Sequence, residues 1–188
     1  MKHINVSVFV PHAGCPHQCS FCNQRSISGA ASQPTAQDVR DAALVAMRSS
    51  PEGIKDGEIA FFGGSFTAID RDYMTELLSA AQEFIGENGF RGIRISTRPD
   101  AIDGEICDIL EKYRVTAVEL GAQSTDDRVL AMNRRGHTRE DIFRSARLLK
   151  ERGFETGLQM MTGLYGSTDE DCMNTARDII SLAPDTVR

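Results

Sequence analysis

Apolar, strand-like runs alternate with amphipathic, helix-like segments along the whole of this 188-residue chain. Such a pattern folds most simply as a parallel sheet with helical crossovers, since each crossover brings the chain back to pair in the same direction. Strands are expected at Ile4 to Val10, Glu58 to Phe62, Gly92 to Ser96, Ala117 to Leu120 and Thr156 to Met161, each closed by a polar or glycine-rich turn. Helices are expected from Thr35 to Ser49 and from Arg71 to Ile85, where Met74, Leu77, Leu78, Ala81 and Phe84 keep helical spacing and therefore face the core. Further helices are expected from Asp103 to Lys112, from Asp126 to Arg152 with a break at Gly136-His137, and from Thr168 to Leu182 with Ser167 or Thr168 as cap. Pro184 to Arg188 reads as a turn feeding a sixth strand. With 40% hydrophobic residues and no run long enough to span a membrane, the chain is expected to be one cytoplasmic domain.

The segment Gly14-Cys15-Pro16-His17-Gln18-Cys19-Ser20-Phe21-Cys22 follows the first expected strand. Thiolates this close can converge on one soft metal centre, and a loop leaving a strand end can wrap around it without straining regular structure. A closed zinc site normally takes four protein ligands, whereas an iron–sulfur cluster held by three cysteines keeps one iron free for a substrate or cofactor. The competing reading is a zinc-binding module with His12 or His17 as fourth ligand. A disulfide framework is disfavoured by the odd total of 5 cysteines, with Cys107 and Cys172 isolated. No acid occurs before Asp38, which suits a centre whose thiolates already bring negative charge. Ser26 to Ser32 read as a flexible loop able to cover the site.

The spacing Cys15-x-x-x-Cys19-x-x-Cys22, with Phe21 before the third cysteine, resembles the signature of the radical S-adenosylmethionine (radical SAM) enzymes. The resemblance implies a 4Fe-4S cluster on Cys15, Cys19 and Cys22, with SAM chelated at the open iron and Phe21 beside the adenine. It also implies a partial, three-quarter TIM-type β/α barrel of parallel strands. This chain would be its core domain, residues 1–188, C-terminally incomplete and ending at the start of the sixth strand. Ligands in such folds gather at the carboxyl ends of the strands, so the residues after each strand carry the remaining expectations.

Gly63-Gly64-Ser65 match the family's glycine-glycine motif, which holds the SAM amino group; Ser65 stands where Glu is commoner. Ser96-Thr97-Arg98, Gly121-Ala122-Gln123-Ser124 and Asn133-Arg134-Arg135-Gly136-His137 are similar to the Elongator catalytic subunit and the oxygen-independent coproporphyrinogen III oxidases. In that branch a Gln and a downstream Arg contact SAM, which places Gln123 and Arg135 there, with Arg134 as the alternative. A guanidinium is apt for the methionine carboxylate because it can donate two parallel hydrogen bonds. Ser96 replaces the Glu of Elongator-type chains, leaving that contact to backbone or to Arg98, whose bland role is an ion pair with Asp100. Gln159 replaces an acid and retains the ability to bond ribose hydroxyls. Met160 and Met161 are expected in the core. His137 and Tyr165 are read as structural or substrate-wall residues, and no residue is assigned as a catalytic acid or base.

The family resemblance implies reductive cleavage of SAM to a 5'-deoxyadenosyl radical, with a one-electron reductant of flavodoxin or ferredoxin type as partner. The Elongator-like motifs favour a nucleoside in tRNA as substrate. The run Arg128 to Arg152, with eight Lys or Arg against three acids, is compatible with phosphate contacts, although such runs are more often solvated helix faces. The net charge of -6 opposes nucleic-acid binding, so a small-molecule or porphyrin-type substrate stays open.

Overall fold

The structure, a computed structural model, describes residues 4–11, 15, 19–22, 32–50 and 54–188. Among these residues six strands make one sheet: β1 (Asn5–Val10), β2 (Glu58–Gly63), β3 (Gly92–Thr97), β4 (Val115–Gln123), β5 (Glu155–Met160) and β6 (Thr186–Val187). Their spatial order is their chain order, and every neighbouring pair is parallel. β1 and β6 are not paired with each other, so the sheet is the open, partial barrel expected. Its curvature is visible at Arg91, whose Nη2 donates to Glu58 on β2 at 2.7 Å and to Glu155 on β5 at 3.0 Å. In a flat sheet those strands would lie roughly 14 Å apart.

The helices are α1 (Ala36–Ser49), α2 (Arg71–Gln82), α3 (Gly104–Lys112), α4 (Asp127–Met132), α5 (Arg139–Glu151) and α6 (Asp169–Ser181). Each begins at a side-chain cap: Thr35, Asp70, Asp103, Asp126, Thr138 and Thr168 accept a backbone N–H of the first turn. Three of these are capping boxes completed by Asp38, Asp141 and Asp171. A cap of this kind contributes about 1 kcal/mol, and it fixes where each crossover starts. Between strands and helices lies the apolar core, where Val6, Val8, Phe61, Ile95, Val118 and Leu158 meet helical residues such as Leu77, Leu110 and Leu149. Phe61 also stacks on Phe66, with ring centroids 4.6 Å apart.

Three details differ from the sequence reading. α2 stops at Gln82, because the chain tightens into turns at Phe84 and Ile85 before Gly86 takes a φ of 151°. β4 continues through Gly121 and Ala122 to Gln123, past a register shift that the small residues accommodate. Met161 lies outside the core; its N–H donates to the Gln123 carbonyl at 2.9 Å, while half-buried Met160 packs against the core as expected. The break between α4 and α5 is where it was expected, with Arg134 and Gly136 both at positive φ (55° and 76°).

Strand residues facing the barrel interior carry charge. Arg94 Nε donates to Glu58 at 2.6 Å, its Nη2 to Glu155 at 2.6 Å, and its Nη1 lies 3.4 Å from Glu119. Glu119 also accepts from Gln159 Nε2 at 2.7 Å and pairs with Arg188. Burial pushes the Glu58 carboxyl up, but the Arg91 and Arg94 hydrogen bonds outweigh it and leave its pKa below the ordinary 4.5. Its stabilising contribution is therefore fully present above pH 4.5 and is lost as pH falls through the lower folded value. Replacing one member of such a buried set leaves charge uncompensated. Arg94→Met is expected to destabilise the fold by about 3–5 kcal/mol in urea unfolding. Wild-type protein should lose stability below pH 4.5 more steeply than this variant.

Candidate functional site

The carboxyl ends of β1 to β5 form one rim, and the described part of the cysteine segment lies against it. At β2, Gly63 has a φ of 115°, and a side chain there would meet the Val10 carbonyl at 2.8 Å. Gly64 N–H donates to that same carbonyl at 2.8 Å, so the glycine pair holds the end of β2 beside the end of β1, where the cysteine segment departs. Cys15 is an exposed residue that accepts a backbone hydrogen bond from Ser65. Burial of its thiol raises its pKa, against the opposing effects of Ser65 and Arg98.

The Ser65 side chain turns away from the rim. It is buried, lies 3.1 Å from Thr97 Oγ1 and accepts the Arg98 N–H at 3.1 Å. Thr97 also bonds Thr67 at 2.6 Å, so these hydroxyls brace the ends of β2 and β3 beneath Cys15. The Arg98 guanidinium is buried and occupied by a two-pronged pair with Asp100, at 2.8 Å for both bonds. Ser96 Oγ is buried with no hydrogen-bond partner among the described residues.

After β4 the residues alternate inward and outward: Asn133, Arg135 and His137 are buried, while Arg134 is exposed. Arg135 Nη2 donates to the Gly121 carbonyl at 2.6 Å, its Nη1 lies 3.3 Å from Cys19 Sγ, and its guanidinium carbon sits 5.8 Å from the centre of the Phe21 ring. Its Nε has no partner among the described residues. Gln123 is buried with a φ of 67°, a conformation that costs a non-glycine residue roughly 1–2 kcal/mol. A side chain added at Gly121 would meet Gln123 Nε2 at 3.0 Å and Arg135 Nη2 at 3.3 Å, so the amide and the guanidinium share one corner.

His137 Nε2 bonds the Ala122 carbonyl at 3.1 Å; the ring therefore carries its proton there and leaves Nδ1 as a buried acceptor without a partner among the described residues. Burial and neighbouring Arg135 lower its pKa to about 4.

The structure thus brings together Cys15, Cys19, Phe21, Gly63, Gly64, Gln123 and Arg135, while Ser65 and Arg98 serve as struts and Gln159 is tied to Glu119. Cys22 N–H closes a turn on the Cys19 carbonyl at 3.1 Å. Among the described residues no three Cys, His, Asp or Glu side chains stand close enough together to ligate a metal; the three thiols interact at longer range. His12, His17 and, of the Ser26 to Ser32 loop, all but Ser32 lie outside the described residues. Tyr165 is 71% exposed.

Sequence reasoning missed the interior ion pairs and Asn133. The signal for the first was present: Arg94 and Glu119 interrupt Ile93-Arg94-Ile95 and Val118-Glu119-Leu120, and opposite charges inside strands buried on both faces must find one another. Four residues of the basic run pair with acids at the surface. Arg128 pairs with Asp171, Arg139 with Asp178, Arg144 with Asp141, and Arg152 with Asp108 and Glu111.

A family model described as the Radical SAM superfamily matches residues 9–179. The tRNA uridine(34) acetyltransferase of Methanocaldococcus infernus is 26% identical over 151 residues, covering 70% of this chain and 28% of that protein. Among solved structures, the M. infernus Elp3 lacking its N-terminal residues 1–46 superposes with a TM-score of 0.73 at 22% identity, covering 98% of this chain and 44% of that one. Coproporphyrinogen III oxidase (HemN) from Escherichia coli, a radical SAM enzyme, gives 0.67 at 20% identity, covering 98% and 43%. The chain spans about half the length of the curated relatives it matches, at 54% of the first of them.

With its pKa near 4, His137 is neutral across the neutral range, and its contribution to stability, present above pH 6.5, declines as pH falls toward 4. In a histidine-resolved NMR titration the His137 ring should show no inflection near 6.5; an ordinary titration there would contradict the buried, singly bonded ring.

Proposed function

The chain belongs to the Radical SAM superfamily, whose enzymes use a 4Fe-4S cluster and SAM, and from that premise we propose that Cys15, Cys19 and Cys22 hold the cluster and that the rim above β2 and β4 holds SAM. The observation that carries this reading is Arg135. A buried guanidinium lies against Cys19 with one N–H unpartnered, which is a standing donor for an anionic group brought next to the cysteines. The donor set fits as well, since three thiols on one loop, in a stretch without carboxylates, suit iron–sulfur ligation. When bound, the cluster and SAM supply a one-electron reductive cleavage that yields methionine and a 5'-deoxyadenosyl radical for hydrogen abstraction.

The protein's own residues orient and shield. Arg135, anchored by the Gly121 carbonyl, takes the methionine carboxylate. The peptide groups at Gly63 and Gly64 take the amino group, Phe21 walls the adenine, and Gln123 is held in place by its strained backbone beside Arg135. Ser65 and Arg98 act behind Cys15, through the Ser65 N–H and the charge of Arg98. Gln159, bonded to Glu119, presents a polar wall inside the barrel, and Ser96 Oγ is a further donor available to a ligand. Electrons arrive from a flavodoxin- or ferredoxin-type donor.

For the substrate, the similarity to a tRNA uridine(34) acetyltransferase supports a nucleoside in tRNA. One observation favours a small-molecule or porphyrin-type substrate instead: the guanidinia of Arg128, Arg139, Arg144 and Arg152 are already paired with acids and offer little to phosphates. Retention of labelled tRNA on a filter at low salt, lost steeply as salt rises, separates the two. A non-enzymatic zinc module is the reading from another class; the unpartnered Arg135 N–H beside Cys19 favours an anionic ligand there over a neutral histidine.

Anaerobic reconstitution should give about four irons per chain with matching acid-labile sulfide, and reduction in the presence of SAM should release 5'-deoxyadenosine. Cys19→Ser should abolish both. Stoichiometric zinc without visible absorbance, or full SAM cleavage by Cys19→Ser, would overturn the assignment.

A further inference from the structure

We propose that Asn133 is a positioning residue that docks the cysteine loop onto the rim, an inference that rests on reading that loop as the cluster's ligand set. Ser20, between Cys19 and Phe21, bonds Asn133 twice. Its N–H donates to the Asn133 carbonyl at 3.2 Å, and its Oγ donates to Asn133 Oδ1 at 2.7 Å. The other end of the amide is equally committed, with Nδ2 donating to the Val129 carbonyl at 2.8 Å and to the Tyr165 carbonyl at 2.9 Å.

Asn133 is 1% exposed, so its amide is shielded from water and losing its partners would leave that amide stranded. One side chain therefore ties together the cysteine loop after β1, the end of α4 after β4, and the segment after β5. Arg135 extends the clamp. While Asn133 grips Ser20, Arg135 reaches the two residues flanking it, through Cys19 Sγ and the Phe21 ring. Three consecutive loop residues are thus held by two inward-facing residues of one short turn, whose shape is set by the positive φ of Arg134 and Gly136. The clamp involves no metal, so it orders the loop before any cluster is present and shields Cys19, which is only 9% exposed.

Residue chemistry makes the role specific. Aspartate at 133 would keep the acceptor for Ser20 Oγ but lose both donors, and alanine at 20 would remove the hydroxyl while leaving the asparagine anchored. Threonine at 20 would keep the hydroxyl.

The test uses metal-free protein and iodoacetamide, with each thiol followed by peptide mass spectrometry. Cys107 is the internal control, being fully buried in the core with its pKa pushed up to about 11, chiefly by burial. Ser20→Ala should raise the alkylation rate of Cys19 by about fivefold, the effect of losing one net hydrogen bond on a local opening equilibrium, and Asn133→Asp, which loses both amide donors, should raise it further. Cys107 should be unchanged and Ser20→Thr should behave as wild type. The double variant should fall short of the product of the single effects, because the Ser20 hydroxyl holds the loop less once its acceptor at position 133 has lost its own anchors. Iron affinity in chelator competition should fall in the same order. An unchanged Cys19 rate in Ser20→Ala, or a parallel rise at Cys107, would overturn the proposal, the latter because it marks general unfolding. Should Asn133→Asp fail to fold, the exposed Ser20 position carries the test alone. Failure of wild-type protein to bind iron would refute the cluster reading, and the alkylation pattern would still decide the docking role.

Discussion

Parallel pairing of all six strands, in chain order, is the constraint from which the candidate site follows. Because every strand points the same way, every loop that leaves a strand's carboxyl end arrives at one rim, and residues as distant in sequence as Cys19 and Arg135 come within 3.3 Å. The six helix caps fix where each crossover begins. Variation in the loops can then alter chemistry at the rim without disturbing the sheet.

Two kinds of polar chemistry divide the barrel along its axis. Toward the amino ends of the strands, carboxylates from β2, β4 and β5 close around Arg94 and Arg91, so charge there is compensated and fixes the curvature of the sheet. Toward the carboxyl ends the account is left open. Ser96 Oγ, Arg135 Nε and His137 Nδ1 are buried without partners among the described residues, and Gln123 holds a strained backbone. Buried polar atoms are normally satisfied, and the unpartnered Arg135 Nε belongs to the guanidinium that lies against Cys19. His137 stays neutral beneath Arg135, so the rim carries the guanidinium's charge without a second cation under it.

Sequence periodicity located nearly every element, because strands buried on both faces read as short apolar runs and each helix opens with a capping side chain. The ends of α2 and β4 were less legible. Phe84 continues the apolar stripe of α2 although the backbone has already tightened into turns, and the β4 register shift is a backbone accommodation that composition does not encode. Within the candidate site, the cysteines stood out by their spacing and Arg135, with Arg134 as its alternative, by the family resemblance; the Arg98–Asp100 pair was the bland reading of Arg98, whereas only three-dimensional packing shows Thr97 behind Ser65. Asn133 was visible only as part of a motif, because its bond to Ser20 spans 113 residues of chain. The basic run is less free than its composition suggests for a related reason: the acids that pair with Arg128, Arg139 and Arg152 lie on other helices.

The central claim is that the three cysteines hold a cluster with one iron open to a ligand that Arg135 helps to seat. Electron paramagnetic resonance of the reduced, reconstituted protein, recorded with and without SAM, tests it most directly, since a ligand on the open iron changes the cluster's electronic environment. Wild-type protein should give a reduced-cluster signal whose shape changes on adding SAM, and the change should be smaller at the same SAM concentration in Arg135→Met. A signal indifferent to SAM in wild type would contradict it.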